Sequence, residues 1–374
     1  MPAGVLSLLW HKREDSLTCK GECVKYAGMK YSLFTTAALC AVFAFGLSSC
    51  KKNSNLPAAA AQGDLETVQS LIEDGADVNA KEDSMGGTAV VEAAGNGKTD
   101  VVKALVAAGA DLTIKDKKGE TAIFRAARNG HTDTVKALLA AGVSADTTSD
   151  NGSTPILVAA WNGRTDTVKA LLEGNANANA TDLNDNTALT FAARQKHTET
   201  AKALLAAGAS ADAADITGCT PLIYAASVGD TATLAALLEA NANVNAQDLV
   251  GRTALMLAAE KGHAEAVKAL MAAQADTTLK NKSGYNALVV ALMADKKDLA
   301  KAMVEAGATV SPADVESFTS LLTARKYNGI ADQLKAAGVD LNAKGEDGKS
   351  ALMIATEKGH KGAAEALKAA GATE

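Results

Sequence analysis

The stretch Asp116-Lys-Lys-Gly-Glu-Thr121-Ala-Ile-Phe-Arg-Ala-Ala-Arg-Asn-Gly130-His131, completed by Val135-Lys-Ala-Leu-Leu-Ala-Ala-Gly142, recurs along this 374-residue chain at a fixed stride of 33 residues. Its Thr121 belongs to the series Thr88, Thr121, Thr154, Thr187, Thr220 and Thr253, and the beat continues to Asn286 and Thr319. A strict period of this size marks stacked supersecondary units rather than one globular core. Each unit of such an array packs only on its neighbours, so the core grows in one dimension and chain length is no obstacle to folding. The array offers a long surface and usually no enclosed pocket. Holding another macromolecule is the expected role.

The unit Asp248 to Lys280 gives the anatomy. Asp248-Leu-Val-Gly251-Arg252 is turn chemistry, with Gly supplying a special backbone angle. Thr253-Ala-Leu-Met-Leu-Ala-Ala-Glu260 predicts a first helix capped by its Thr. Gly262-His263 breaks it, and Ala264 to Ala273 predicts a second helix with Val267, Leu270 and Met271 at helical spacing. The pattern Asp-x-x-Gly-x-Thr-(Ala/Pro)-Leu-x-x-Ala-Ala-x-x-Gly-His, then x-x-x-Val-x-x-Leu-Leu-x-x-Gly-Ala, resembles the ankyrin repeat. The resemblance covers roughly residues 56–374 and implies an all-α solenoid of about ten helix-turn-helix units with hairpin-like turns. One departure is consistent. Where the family often has His after the Thr-Pro-Leu tripeptide, this chain has Val91, Phe124, Leu157, Thr190, Ile223 and Met256, which predicts looser hairpins.

Irregular units mark expected weak points. The first, from Leu56, lacks a leading turn and reads as the N-terminal cap, and the last, ending at Glu374, as the C-terminal cap. One extra residue lies before Thr88, near Met85-Gly-Gly87. Lys196 fills an inter-helix Gly slot, where a positive φ costs about 1 kcal/mol. Asn175 and Asn241 replace the Gly that ends the second helix, which Asn tolerates. Asn286 and Asp295 degrade the eighth unit, and the ninth is two residues short between Thr319 and Gly338.

The first 55 residues read differently. From Met29, one Lys precedes an apolar run that ends at Leu47-Ser48-Ser49-Cys50. This is the layout of a secretory signal peptide. Its end resembles a bacterial lipobox, which implies cleavage before Cys50 and lipid attachment to that residue. The run is at the short end for a membrane span. Lys51 and Lys52 after it would oppose export of a permanently anchored chain. The expected organisation is a leader at 1–28 that is non-native or untranslated, a lipoprotein signal at 29–49, a lipidated tether at 50–55 and the array at 56–374. Cys19 and Cys23 lie in the leader, without partner ligands for a metal. Only Cys219 and the lipidated Cys50 remain in the mature chain, so no internal disulfide is expected.

Charge and chemistry narrow the function. Net charge is −6; taking away the five basic and three acidic residues of 1–49 leaves 32 basic and 40 acidic, or −8. No basic run stands out, so a nucleic-acid surface is not expected. Of the five histidines, His131, His197, His263 and His360 share one slot and lie too far apart to converge on a metal. Carboxylates recur as turn-opening Asp116, Asp182, Asp215 and Asp248. No catalytic set, phosphate loop or zinc spacing is present. The expectation is a monomer with no enzymatic activity, cofactor or metal.

The family resemblance implies that partners bind the concave face, made of turn tips and the exposed side of the first helices. Residues after each Ala-Ala pair belong there: Gly95, Arg128, Trp161, Arg194, Ser227 and Glu260. Arg128, Trp161 and Arg194 form the sharpest ladder, with Asn162 beside it, because Trp and Arg dominate interface hot spots. The alternative is that Trp161 packs between repeats. The tips add Lys117, Lys118, Glu120, Asp150, Asn151, Leu183, Asn184, Ile216, Cys219, Leu249, Val250 and Arg252. Exposed Leu183, Ile216 and Leu249 would form an apolar stripe that marks a partner site. Cys219 reads as a small turn residue or else a reactive thiol. The reading is an exported, lipid-anchored protein-binding module on the periplasmic or outer side of a bacterial membrane. Its rivals are a surface-displayed binder of host or environmental molecules and an inhibitor or protective chaperone of one exported enzyme.

Overall fold

Each residue of the Thr series stands just before a short helix. A computed structural model describes residues 56–308, 330–336, 338–344 and 348–373, all within the unit Lys52–Glu374. Its inner helices are Ala89–Gly95, Ala122–Asn129, Pro155–Trp161, Ala188–Arg194, Pro221–Val228, Ala254–Lys261 and Ala287–Met293. Each is followed by a nine-residue outer helix: Thr99–Ala107, Thr132–Ala140, Thr165–Glu173, Thr198–Ala206, Thr231–Glu239, Ala264–Ala272 and Lys297–Glu305. A helix at 56–62 pairs with Leu65–Glu73 at the front. Ile330–Ala336 and the pair Ala351–Glu357 and Lys361–Ala369 follow at the back. The ninth unit's Thr319 and the signal, tether and Cys50 lie outside the described residues.

Helices this short are marginal alone in water, so stacking holds them. The Ala pairs show how. Ala126, Ala127, Ala159, Ala160, Ala192, Ala193, Ala225 and Ala226 are fully buried, and the small side chain lets neighbouring inner helices close up. Outer helices bury Val135 with Leu138, Val168 with Leu171 and Leu234 with Leu237, three residues apart on one face. Leu157 and Ile223, in the slot where His was missing, are buried apolar filling.

Backbone chemistry sets the joints. Gly130, Gly229 and Gly262 end inner helices in the left-handed region, at φ 83°, 70° and 79°. Lys196 adopts φ 61° in the equivalent slot, and Asn175 and Asn241 adopt 61° and 60°. Antiparallel bridges such as Thr181 with Thr187 and Gln247 with Thr253 make the turns hairpin-like. The extra residue before Thr88 widens its turn. Glu82 N–H reaches Gly87 O, five residues on, whereas Asp116 N–H reaches Glu120 O, four on.

The expected Thr cap is only partly realised. Thr187, Thr220 and Thr253 accept the N–H three residues ahead. Thr88 and Thr154 make no such bond, and their hydroxyls are buried without a partner. A second set of threonines, unforeseen, links the outer helices. Hydroxyls of Thr99 and Thr134, Thr132 and Thr167, and Thr165 and Thr200 meet at 2.8, 2.9 and 2.8 Å, and Thr233 donates to Thr198 at 3.0 Å. Its signal was the recurring Thr-x-Thr that opens these helices at 132–134, 165–167, 198–200 and 231–233. The main core cluster runs from Leu56 to Leu334, and a second one covers Ala331 and Ala351 to Ala372. No helix among the described residues is long and apolar enough to cross a membrane.

Candidate functional site

The turn tips are built by their opening acid. The Asp215 carboxylate accepts N–H bonds from Thr217 at 2.8 Å and Cys219 at 3.1 Å, and Asp248 does the same for Val250 and Arg252 at 3.0 and 2.8 Å. With the acid turned under the loop, the next residues face outward. Tips then bond to one another. Ile216 N–H donates to Asn184 O at 3.1 Å, Leu249 N–H to Thr217 O at 2.9 Å and Lys282 N–H to Val250 O at 2.9 Å. This ladder fixes four successive tips. Along it Leu183, Ile216, Leu249 and Val250 are 76%, 54%, 61% and 49% exposed.

The inner helices supply the adjoining surface. Trp161 is 40% exposed, and its ring meets Phe191 edge-on, with centroids 5.1 Å apart at 87°. It is therefore neither enclosed between repeats nor free of them. The Arg194 guanidinium lies 5.8 Å from the Trp161 ring and 5.6 Å from the Tyr224 ring, between an aromatic of the preceding unit and one of the next. The Tyr224 hydroxyl donates to Asp215. Burial, and then that bond, push the Tyr224 hydroxyl well above its usual value, so it remains a donor. Burial works against the charge of Asp215, but bonds from Thr217, Tyr224 and Cys219 outweigh it and hold the carboxyl below its usual 3.8.

Several expected contact residues have other work. Glu120 is not an exposed tip side chain. It is 8% exposed, and its carboxylate holds Arg128. Arg128 accordingly does not stack on Trp161, which among the described residues has one guanidinium over it, from Arg194. Arg252 pairs with Asp248 at 2.7 Å, and the Asn162 amide donates to Val158 O at 2.8 Å. Lys117 and Lys118 are exposed, and Lys117 reaches the carbonyls of Asp83 and Ser84. Asp150 is exposed and pairs with Lys115 at 3.3 Å; Asn151 accepts from Ser149, and Asn184 N–H donates to Asp182. Phe191 and Tyr224 were missed. They sit 33 residues apart, three before Arg194 and Ser227, and that helical spacing would have found them.

Little on this surface can do covalent chemistry. Cys219 is 7% exposed, and burial pushes its thiol up, away from the reactive thiolate. His131, His197 and His263 bond through Nε2 to the carbonyls of Gly95, Trp161 and Ser227 at 3.1, 3.1 and 3.2 Å, stitching each unit to the one before. No group of three or more metal-capable side chains occurs among the described residues.

Known proteins place this architecture. A family model described as ankyrin repeats, three copies, matches residues 23–116, 56–148, 92–182, 158–248 and 245–314. The crystal structure of the human ASB11 ankyrin repeat domain is similar at 30% identity and TM-score 0.54, covering 59% of this chain and 98% of that one. The ankyrin repeat domain of Bcl-3, described as a unique member of the IkappaB protein family, is similar at 30% identity and TM-score 0.51, covering 55% and 95%. No curated protein matches the chain. With its helix pairs, hairpin-like tips and matched repeats, the chain belongs to the ankyrin-repeat family, whose fold serves as a protein–protein interaction scaffold.

Proposed function

We propose that this protein holds a protein partner on the face formed by its turn tips and inner helices, at a bacterial envelope membrane to which Cys50 anchors it by lipid. The observation that carries the binding role is the exposed Trp161, with Arg194 stacked on it, beside a row of exposed Leu183, Ile216 and Leu249 on hydrogen-bonded tips. Large aromatic area and planar charge on a rigid support are what hot spots use. An apolar row of this kind marks an interaction site. The anchoring rests on Leu47-Ser-Ser-Cys50 after the apolar run.

Two variants test the two halves. Trp161→Ala weakens partner capture by about 2 kcal/mol or more. Its stability loss stays below the roughly 3–5 kcal/mol of a fully buried aromatic, because the ring is 40% exposed. Pull-down beside thermal melting reads both, and a large drop in melting temperature with capture intact would defeat the binding role. Cys50→Ala leaves the chain unprocessed or released from the membrane, because two or more acyl chains are what anchor it. A mature-sized, membrane-bound Cys50→Ala protein on cell fractionation contradicts the anchor.

A further inference from the structure

We propose that the partner segment is acidic, and that Arg194 is the receptor for one of its Asp or Glu side chains, whose apolar neighbours seat on Leu183, Ile216 and Leu249. The inference rests on the binding reading above and names the chemistry of what binds. Four arginines of the inner helices and tips can be compared. Arg125 pairs with Glu92 and Asp116, Arg128 with Glu120, and Arg252 with Asp248. Arg194 is exposed and makes no ion pair among the described residues. The reason is one substitution in the repeat. Arg128 finds Glu120 eight residues before it; the residue eight before Arg194 is Asn186, whose amide is committed to Asp182 at 3.1 Å.

The free guanidinium is nonetheless held. Its central carbon lies 5.8 Å from the Trp161 ring centroid and 5.6 Å from that of Tyr224; Trp161 is set by Phe191, and Tyr224 by Asp215. A cation over a ring spends none of its N–H donors, so the exposed fork of Arg194 is left for a ligand. A planar fork fixed in advance fits a carboxylate through two parallel bonds, with little ordering left to do on binding. The site also adjoins the apolar row. Arg194 stacks on Tyr224, Tyr224 bonds Asp215, and Asp215 builds the tip that carries Ile216. Two side chains, Tyr224 and Asp215, thus link the cation to the tip that carries Ile216. The residues equivalent to Arg194 in the flanking units are Trp161 and Ser227, so the position holds one cation with uncharged neighbours. Over residues 50–374, with 32 basic and 40 acidic residues and a net charge of −8, this fixes where an acidic segment can register.

The test selects binders to the full chain in detergent from a displayed library of random short peptides with blocked C-termini. The expected winners carry Asp or Glu next to Leu, Ile or an aromatic. Changing that acid to its amide weakens binding about ten- to hundredfold on the unchanged protein. Arg194→Gln produces a similar loss, and in that variant the amide change costs nothing further, which is the signature of a direct pair. Winners without an acid, or an amide change that still matters in Arg194→Gln, overturn this inference while Trp161-dependent binding stands. Winners indifferent to Trp161→Ala, or no winners at all, overturn the binding reading too. The amide arm uses the native protein, so a misfolded variant does not shield the proposal.

Discussion

Asp215 concentrates much of the central tip's order in one side chain. It is 8% exposed, orients Thr217 and Cys219 through their N–H groups and takes the Tyr224 hydroxyl. Burial opposes its charge, yet these bonds keep its carboxyl below the usual 3.8. The folded value is thus lower than the unfolded one. Its contribution to stability is complete above 3.8 and fades as pH falls through the folded value. Asp215→Asn should lose about 1–2 kcal/mol at neutral pH, because a neutral acceptor makes weaker bonds. As pH falls from 3.8 through the lower folded value, the melting temperatures of variant and parent should converge. Parallel curves across the acid range would show that this carboxylate does not drive the acid response.

The inter-helix slot is the joint on which each unit turns. Gly97, Gly163 and Gly229 fill it at φ 68°, 64° and 70°, and an added Cβ at each would press within 2.6 Å of a His ring in the next unit. Lys196 occupies the same slot at φ 61°, and its N–H to Ala193 O bond is a long 3.4 Å. The following unit offers Asp230 instead of His, so the site has room for a side chain but the backbone is strained. Lys196→Gly should therefore stabilise the protein by about 1 kcal/mol. Thermal melting reads it, and an unchanged or lower melting temperature would mean the unfolded chain's gain in freedom outweighs the relieved strain.

Across the molecule, cohesion between outer helices is uneven. The threonine ladder runs from Thr99 to Thr233 and stops where Ala264-Glu-Ala266 replaces Thr-x-Thr. Just beyond it, between Ala264–Ala272 and Lys297–Glu305, lies a cavity of about 530 Å³, lined by Val267, Met271, Leu299 and Met303 among others. In a linear array, stability is nearly a sum of unit and neighbour terms, so a weak interface opens locally. Hydrogen exchange should be faster in Lys297–Glu305 than in Thr165–Glu173 or Thr198–Ala206. Equal protection along these helices would reject a weak link at the eighth unit. The degraded sequence around Asn286 and Asp295 pointed to this region, whereas the missing hydroxyls that help to explain it were not part of that expectation.

The sequence by itself determined the array, its phase and its joints. Those follow from local backbone demands repeated at a fixed stride: a Gly, Asn or Lys at positive φ, an Asp folding its own tip, an Ala pair small enough to be buried. Periodicity also put Leu183, Ile216 and Leu249 on one line before any neighbour was known. Only the tertiary structure separated Arg128 from Arg194. The two are in phase, and the change from Glu120 to Asn186 eight residues before them gained its meaning only in the fold, where one arginine turns to its own unit's Glu120 and the other lies between rings contributed by the units on either side. It also decided which threonines cap and which stay unpaired, and left Trp161 part exposed with its edge on Phe191. The reason is physical. Backbone angles are set by the residue and its immediate neighbours, whereas a side chain at the stacking surface chooses among partners a full repeat away, and that choice exists only once the units have packed.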